Sequence, residues 1–203
     1  LKPIRYKKEM VDEFFNEGYW TRELFYDFWE RNARELGDQE ALVDSKYRVT
    51  WAEAKKLVDA IAYTWVEMGI PKSSRIIIQS PNSVYGFLAR IAAERAGLIS
   101  LTVYPYLRER ELTYMVERTE AAAVVILNEY RNFNYLEMYR ELQKKFPHLE
   151  KIFLFDDEVP EGAPEGTYSL TQLAQAAADK PIDEDTLNAR RLDPISDVAL
   201  LTT

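Results

Sequence analysis

The chain has 203 residues with 47% apolar content, a formal net charge of −8, one histidine and no cysteine. That apolar share lets one domain, or slightly more, bury a sizeable core, and it argues against disorder. The absence of cysteine excludes disulfides, thiolate metal sites and a cysteine nucleophile, and the acidic balance disfavours general binding to nucleic acid.

Two aromatic-rich helices are predicted at the beginning of the chain, from about Tyr6 to Glu17 and from Arg22 to Leu36. Gly18 and Gly37 supply their ends, and the hydroxyl of Thr21 is placed to cap the second helix. Aromatic residues recur along the second helix at helical spacing, which indicates packing rather than a cofactor site.

A pair of short strands is predicted near residues 40–44 and 47–50, and a long helix follows them. Thr50 and Glu53 form a capping box, in which each side chain bonds a free backbone amide at the helix start. Gly69 ends this helix.

From residue 75 onward, apolar strands alternate with amphipathic helices. This pattern is typical of a parallel sheet flanked by helices, so the predicted fold class is α/β. We interpret residues 1–38 as an N-terminal helical segment and residues 39–203 as an α/β subdomain of a larger N-terminal domain. The predicted strands are Ile76–Ile78, Leu98–Val103, Ala123–Leu127, Ile152–Phe155 and Asp197–Thr203.

Two later helices begin at polar residues, Asn134 and Ser169, the second as a capping box completed by Gln172. The acidic, proline- and glycine-containing segment 156–166 is interpreted as an exposed loop, and residues 179–194 as a second polar stretch.

Common catalytic motifs are missing from the sequence. It contains no Gly-x-Gly-x-x-Gly after a strand, no Gly-x-x-x-x-Gly-Lys-Ser/Thr, no His-Glu-x-x-His and no Gly-x-Ser-x-Gly. The run Asp156-Asp157-Glu158 lacks supporting ligand spacing and is interpreted as solvated rather than as a cation site. The sequence therefore predicts no catalytic residue and no metal ligand within the chain.

Several segments, in this order, resemble the front-end motifs of adenylate-forming (AMP-binding) enzymes, a superfamily that includes acyl-CoA synthetases and aryl-acid ligases. The similarity extends over essentially the whole chain and implies the N-terminal subdomain of such an enzyme. The matching segments are Val49-Thr50-Trp51-Ala52-Glu53-Ala54, Gly69-Ile70-Pro71-Lys72-Ser73-Ser74-Arg75-Ile76, Ser80-Pro81-Asn82-Ser83 and Ala93-Glu94-Arg95-Ala96-Gly97-Leu98.

Finer similarities point to two branches of this superfamily. The segment Glu17–Trp20 is similar to the entry segment of dihydroxybenzoate-AMP ligases. The segments Tyr106–Leu112 and Tyr130–Tyr135 are closer to alicyclic and medium-chain acyl-CoA ligases, the branch that we favour. Trp51, Ala54 and Ser74 depart from the common family pattern of tyrosine, leucine and aspartate.

The resemblance also implies a role for the last two residues. Strand Asp197–Thr203 is similar to the strand that leads into a Ser/Thr/Gly-rich loop around the ATP phosphates, so Thr202 or Thr203 is the expected entry to that loop. The family's other functional residues would follow residue 203. The chain is therefore expected to be a truncated, front part of a larger protein that uses ATP, Mg²⁺ and coenzyme A.

The leading hypothesis is an inactive N-terminal fragment of an ATP-dependent acyl-CoA synthetase, acting on a small-molecule carboxylic acid and completed by a C-terminal remainder. Alternatives are an aryl-acid-AMP ligase fragment, a non-catalytic scaffold or half of a split enzyme, and a Rossmann-type nucleotide sensor, which the missing glycine fingerprint disfavours. No apolar stretch reaches the roughly 20 residues of a membrane span, so we expect a cytoplasmic protein, with a homodimer among the expected assemblies.

Overall fold

A computed structural model describes residues 6–194, 197, 200 and 201. Amphipathic periodicity in the sequence produces eight helices in this part of the chain, each close to a predicted position or inside a predicted polar stretch. Their bounds are α1 Lys8–Asn16, α2 Phe25–Glu35, α3 Trp51–Glu67, α4 Val84–Arg95, α5 Glu109–Thr119, α6 Tyr135–Lys145, α7 Leu170–Ala178 and α8 Glu184–Ala189.

Six strands form one sheet in the order β10-β4-β3-β5-β8-β9, and all of its pairings are parallel. Two antiparallel hairpins, β1–β2 and β6–β7, lie outside it. The strands are β1 Glu40–Val43, β2 Arg48–Thr50, β3 Arg75–Gln79, β4 Ile99–Val103, β5 Ala123–Ile126, β6 Glu129–Tyr130, β7 Phe133–Asn134, β8 Lys151–Leu154, β9 Thr167–Ser169 and β10 Leu200–Leu201.

Alternate residues of the central strands enter two different cores, one on each face of the sheet. Ile76 and Ile78 pack with α3, α4 and α7, whereas Ile77 between them packs with α5 and α6. Because both faces are covered, the central strands are mainly apolar, as expected for a parallel sheet. The predicted α/β class, a parallel sheet flanked by helices, is confirmed.

The helix starts follow the predicted capping in most places. The N–H of Glu53 donates to Thr50 Oγ1 at 3.3 Å and the N–H of Thr50 donates to Glu53 Oε2 at 2.8 Å, which confirms the capping box. The predicted cap at Thr21 is wrong, because α2 begins three residues later than expected. At the observed start, the N–H of Leu24 donates to Asp27 Oδ2 at 2.7 Å. The helix start is therefore capped by the carboxylate of a residue in its first turn, and not by the hydroxyl of Thr21.

Two elements near the end of the chain were not predicted: β9 lies between the predicted loop 156–166 and the helix that follows it, and α8 lies inside the predicted polar stretch 179–194. Strand β9 pairs in parallel with β8, with Tyr168 opposite Phe153 and the two rings stacked 5.7 Å apart. Helix α8 begins at Asp183, whose carboxylate accepts from the N–H groups of Asp185 and Thr186. Both elements are short, and each has one apolar residue that packs on the core, Tyr168 in β9 and Leu187 in α8. A single apolar residue gives no hydrophobic periodicity, so the sequence did not indicate either element.

We define residues 183–192 as the strap, the segment that contains α8 and leads toward β10. Arg190 donates to the carbonyl oxygens of Ile70 and Ala96 at 2.7 and 2.9 Å. Lys72 Nζ donates to the carbonyl oxygen of Arg191 at 2.8 Å. These contacts fasten the strap to the turns before β3 and β4, so charged side chains fix the approach to the edge strand.

The strap is also joined to α2, through Asp27. The guanidinium of Arg191 donates to both carboxylate oxygens of Asp27 at 2.6 and 2.7 Å. This pairing holds the pKa of Asp27 below its ordinary value of 3.8. A bidentate pair of this kind links an N-terminal helix to a segment more than 160 positions later.

We expect Asp27→Asn to destabilise the chain at pH 7 and to lose this effect in acid. Because the folded pKa of Asp27 is depressed, its contribution is fully present above about pH 4 and is lost as the pH falls through the folded value. Urea unfolding at pH 7, 5, 4 and 3 measures the gap, that is, the difference in free energy of unfolding between the wild-type chain and the Asp27→Asn variant. A gap that stays constant down to pH 3 contradicts the assignment, and Glu161→Gln in an exposed loop is the control.

Candidate functional site

The carboxyl ends of the parallel strands meet at one edge of the sheet, where α/β proteins bind ligands. From β3 the chain first crosses to β4 on one side and then returns to β5 on the other, so the order reverses between β3 and β5. Such a reversal opens a crevice above the sheet. Two parts of this edge are candidate sites: the crevice itself and the turn that follows β4.

The crevice has a volume of about 260 Å³ and lies beside the segments that leave β3, β5 and β8. The hairpin between β1 and β2 forms its remaining wall. Hydroxyl, amide and carboxylate groups are mixed with aromatic rings around it. The lining residues are Asp44, Ser45, Lys46, Tyr47, Ser80, Pro81, Asn82, Ser83, Tyr85, Leu127, Phe155 and Asp156.

The positive end of α4 points at this crevice, but a carboxylate already occupies it. Asp44 accepts from the N–H of Val84, the first residue of α4, at 2.8 Å, and from the N–H groups of Lys46 and Tyr47 at 2.8 and 2.7 Å. Burial disfavours the charged form, yet the three backbone donors outweigh it and hold the pKa of Asp44 below its ordinary value. The helix start is therefore neutralised by the chain's own anion.

A second carboxylate ties the mouth of the crevice together. Asp157 accepts from Lys46 Nζ at 2.6 Å and from the Tyr47 hydroxyl at 2.9 Å, and Lys46 holds the pKa of Asp157 below its ordinary value. Lys46 is the one cationic residue among those that line the crevice, and because it is already paired with Asp157, no unpaired cation there faces a phosphate. The switch-point crevice is thus the less suitable of the two candidates for a nucleotide's phosphates.

The turn after β4 is held from below by a buried glutamine. Gln79, the last residue of β3, is 3% exposed, and its Nε2 donates to the carbonyl oxygens of Tyr104, Pro105 and Leu107 at 3.2, 3.4 and 3.1 Å. Its Oε1 accepts from the hydroxyl of Tyr139, on α6, at 3.2 Å. The amide nitrogen thus fixes the turn, while the amide oxygen ties Gln79 to helix α6.

Further contacts hold the same turn from the side of α6. The hydroxyl of Tyr135 donates to the carbonyl oxygen of Pro105 at 2.5 Å and accepts from Arg108. The guanidinium of Arg108 lies 4.0 Å from the centre of the Phe133 ring. Burial raises the pKa of Tyr139, so this phenol remains a donor.

Two tyrosines project from this rigid turn into solvent. Tyr104 and Tyr106 are 64% and 55% exposed, and their rings are stacked 5.3 Å apart with an interplanar angle of 11°. Exposed aromatic rings on a turn fixed by buried hydrogen bonds form a preorganised surface, a common property of binding sites.

The predicted entry residues to a phosphate loop, Thr202 and Thr203, lie outside the described residues. The strand before them is described: Leu200 and Leu201 pair in parallel with Ser100 and Leu101 of β4. The predicted terminal strand is therefore present at these two positions, and its neighbour β4 ends in the turn that carries Tyr104.

The sequence did not identify Gln79, Tyr135 or Tyr139 as part of a site. The sequence feature that could have indicated the contacts of Gln79 is a glutamine at the end of an otherwise isoleucine-rich strand. Because a buried amide requires partners, such a residue indicates a polar contact at the strand's end. Its partners are backbone carbonyls, which no side-chain pattern reveals.

We expect Gln79→Leu to loosen the turn after β4 without unfolding the chain. The substitution removes the donor to the Leu107 carbonyl and one of the donors to the Tyr104 and Pro105 carbonyls, which still accept from the Leu107 N–H and the Tyr135 hydroxyl. We expect a cost of about 1–3 kcal/mol, or roughly 5- to 150-fold in local opening. Hydrogen exchange of the Leu107 amide, which donates to the Tyr104 carbonyl, measures this opening. Gln143→Leu, which removes one bond to the Leu149 carbonyl, is the control, and equal exchange in both variants contradicts the expected role.

A doubly wound α/β sheet with a reversal point is an architecture in which ligands commonly bind at the carboxyl edge of the strands. Comparison with known proteins identifies the family. The chain belongs to the AMP-binding enzyme family, which it matches over residues 29–191. The resemblance to adenylate-forming enzymes that the motif order indicated is thereby confirmed.

Relatives from both predicted branches are found. The chain is 30% identical to the 2,3-dihydroxybenzoate-AMP ligase of Bacillus subtilis over 72% of its length and 27% of that protein. It is 25% identical to the medium-chain fatty-acid–CoA ligase of Escherichia coli over 87% of its length and 30% of that protein. The chain thus spans about a quarter to a third of the length of the curated relatives it matches.

The fold is shared with solved structures of the same kind. The apo structure of Mycobacterium smegmatis MbtA superposes with a TM-score of 0.81 at 26% identity, covering 98% of this chain and 34% of that one. A long-chain-fatty-acid-CoA ligase from Archaeoglobus fulgidus has the same fold at 18% identity and a TM-score of 0.69, over 91% of this chain and 35% of that one. Across residues 6–194, 197, 200 and 201, no helix has the length and apolar character needed to cross a membrane.

Proposed function

We propose that this chain is the N-terminal part of an ATP-dependent acid–thiol ligase that forms acyl-CoA through an acyl-adenylate. The observation that carries the proposal is the family match over residues 29–191 together with relatives that are named as CoA ligases. The arrangement of the carboxyl edge supports it, since strand β10 and the fixed turn after β4 end side by side there.

Within this proposal, Thr202 and Thr203 enter the loop that wraps the ATP phosphates. Support comes from the position of Leu201, which directly precedes them at the edge of a parallel sheet. Threonine hydroxyls add donors next to backbone amides without much bulk, which suits a phosphate loop. We also propose the division into a helical segment of residues 1–38 and an α/β subdomain of residues 39–203, in a cytoplasmic protein.

The proposed reaction has two steps. A carboxylate oxygen of the acid attacks the α-phosphorus of ATP, and the bond to pyrophosphate breaks; the coenzyme A thiol then attacks the acyl carbon, loses its proton, and AMP leaves. Magnesium would reduce the charge on the phosphates. No group of three or more carboxylate, imidazole or thiol side chains converges in the part of the chain that the structure describes, so we assign no metal ligand.

A second candidate, an aryl-acid-AMP ligase, is favoured by a specific observation. The dihydroxybenzoate-AMP ligase of Bacillus subtilis is 30% identical, and the segment Glu17–Trp20 was similar to that branch in the sequence. The first reaction step would be the same, and only the acid and the acceptor would differ.

A third candidate, of another class, is one half of a split enzyme or a scaffold. Within the described residues β10 is paired only with β4, so one side of this edge strand lacks a strand partner, and unpaired edges recruit other chains. An uninterrupted reading frame beyond codon 203 would exclude the split arrangement.

The test measures pyrophosphate release and ATP–pyrophosphate exchange with Mg²⁺, coenzyme A and a panel of aliphatic and aromatic carboxylic acids. We expect no activity from residues 1–203 alone and acid-dependent exchange from the product of the complete reading frame. Pyrophosphate release by the 203-residue chain would contradict its inactivity. A complete product that shows no acid-dependent exchange would contradict the ligase function itself.

A further inference from the structure

Arg190, at the end of α8, holds the ends of two longer helices with one side chain. Its Nε donates to the carbonyl oxygen of Ala96, the residue that caps the C-terminal end of α4, at 2.9 Å. Its Nη2 donates to the carbonyl oxygen of Ile70, in the turn after α3, at 2.7 Å. Carbonyl groups at the C-terminal end of a helix lack partners within the helix and carry partial negative charge, so a guanidinium stabilises them. Arg190 therefore fastens the strap to the two turns that lead into β3 and β4.

These two turns are also bonded to each other. The N–H of Ser73 donates to the carbonyl oxygen of Gly97 at 2.7 Å, and the N–H of Ile99 donates to that of Ser74 at 2.9 Å. The backbone of the strap lies directly against them, because a Cβ atom on Gly97 would be 2.4 Å from the carbonyl oxygen of Arg190. The position of residue 190 is thus fixed relative to the first residues of β3 and β4.

A hydrogen-bonded turn carries the chain from the strap toward β10. The N–H of Asp193 donates to Asp197 Oδ2 at 2.7 Å, and the N–H of Asp197 donates to the carbonyl oxygen of Asp193 at 2.9 Å. Three positions later, Leu200 pairs with Ser100 of β4. The anchor at Ala96 is four positions before Ser100, so the strap is fastened close to the place where β10 meets β4.

The position of β10 along β4 decides where the residues after Leu201 meet the carboxyl edge of the sheet. Leu201 packs against the second core, so a slip by one residue would turn it to the wrong face. A slip by two residues keeps that face inward and moves the strand by about 6.6 Å, since a parallel strand rises about 3.3 Å per residue. Groups that bind a ligand must be held within about 0.5 Å. An anchor at a fixed place before the strand, such as Arg190, opposes the two-residue slip.

We propose that Arg190 is a positioning residue for ATP: it fixes the register of β10 on β4 and thereby places the residues after Leu201 beside the turn that follows β4. The inference rests on the proposed function, because it takes the carboxyl end of β10 as the entry to the loop around the ATP phosphates. Ala96 and Ile70 precede β4 and β3, so Arg190 lies at the opposite edge, where the strands begin. It acts through β10 and not by contact with the nucleotide.

A purely structural role for Arg190 would have a different kinetic signature. Loss of stability alone reduces the amount of folded enzyme, so it lowers the apparent kcat and leaves KM unchanged for every substrate. Displacement of the residues that hold the phosphates weakens binding of ATP and not of the acid, so KM for ATP rises by itself. The two KM values therefore separate a positioning role from a loss of stability.

Acid-dependent ATP–pyrophosphate exchange by the product of the complete reading frame tests this role. We expect Arg190→Met to raise KM for ATP by about tenfold or more and to leave KM for the acid within about twofold. Arg190→Lys keeps the charge but not the fork that reaches both carbonyl oxygens, so it should raise KM for ATP by only about threefold.

Arg140→Met is the matched control and should leave both KM values unchanged. The Nη2 of Arg140 likewise donates to a backbone carbonyl oxygen, that of Gly162, at 2.6 Å. Gly162 lies in the loop between β8 and β9, at the far edge of the sheet from β10. Circular dichroism and urea unfolding check that each variant folds, and if Arg190→Met does not fold, Arg190→Lys is judged by the same measurements.

Nuclear magnetic resonance of the 203-residue chain tests the register without the ligase reaction. Nuclear Overhauser contacts between Leu201 and Leu101 should be present in the wild-type chain and in Arg140→Met, and lost or shifted by two positions in Arg190→Met. Unchanged contacts in a folded Arg190→Met chain overturn the inference, and so does an unchanged KM for ATP in its complete product. A wild-type product without acid-dependent exchange contradicts the ligase function instead, and the Overhauser contacts then still decide whether Arg190 sets the register of β10.

Discussion

Gly97→Ala is expected to destabilise the chain by about 3 kcal/mol or more, since the substitution combines backbone strain with a steric clash. Gly97 follows α4 with φ +68°, a conformation that costs an alanine roughly 1–2 kcal/mol. A Cβ atom there would also lie 2.4 Å from the carbonyl oxygen of Arg190, in the strap. Because that atom belongs to the backbone, relief requires the strap to move away from the turn before β4.

Gly69→Ala is the matched control for this prediction. Gly69 ends α3 in the same left-handed conformation, with φ +77°, but no atom lies within 4 Å of a Cβ at this position. The control therefore carries the strain without the clash. Urea unfolding of both variants isolates the contribution of the strap, and equal losses of stability would contradict the proposed contact between Arg190 and Gly97.

The second large effect is expected at Asp59, a carboxylate buried on α3. It accepts from the hydroxyl of Tyr26 and from Lys55 Nζ, both at 2.6 Å, and the Nε of Arg95 lies 3.6 Å away. Burial, followed by the charge of Asp59, raises the pKa of Tyr26. We expect Asp59→Ala to cost about 1–3 kcal/mol, because it leaves the buried Tyr26 hydroxyl without its acceptor and removes the carboxylate beside the Nε of Arg95, whose Nη2 still pairs with Glu184.

The comparison variant is Asp179→Ala. Its carboxylate pairs with Lys56 at 2.6 Å, a geometry similar to that of the Asp59–Lys55 pair, but both side chains are exposed. Solvent screening makes such a surface pair nearly neutral, so we expect no measurable change in the urea midpoint. If Asp59→Ala lowers the free energy of unfolding no more than Asp179→Ala does, burial does not strengthen the contacts that Asp59 makes.

Sequence patterns predicted most of the fold because its strands are buried on both faces. Runs such as Ile76-Ile77-Ile78 have no other stable place than the middle of a covered parallel sheet. Capping at Thr50 was predicted correctly for a local reason, since the two bonding groups are three residues apart. Strand β9 was not predicted, because its place depends on pairing with β8 rather than on its own composition.

The candidate site was less accessible to prediction. The expected role of Thr202 and Thr203 rested on family resemblance and stays a proposal, since both lie outside the described residues. The neutralised start of α4 depends on Asp44, forty positions earlier, and the fixed turn after β4 depends on Gln79, which is 25 positions from Tyr104. Neither contact has a sequence period, because both arise only when separate elements are brought together.

The position of β10 in the chain has a consequence for the order of folding. Leu200 pairs with Ser100, so the contact closes a loop of about 100 residues, and closing such a loop costs more conformational entropy than closing the shorter loops between the other strands. The strap shortens the loop that remains to be closed. Lys72 and Arg190 hold the end of the strap beside the sheet, so only the residues between the strap and β10 must still be ordered when β10 pairs. Strand β10 should therefore add last, after the five other strands have formed, and its amides should exchange with solvent before those of β3 or β5. The edge where we propose that the ATP phosphates bind is thus expected to open before the centre of the sheet.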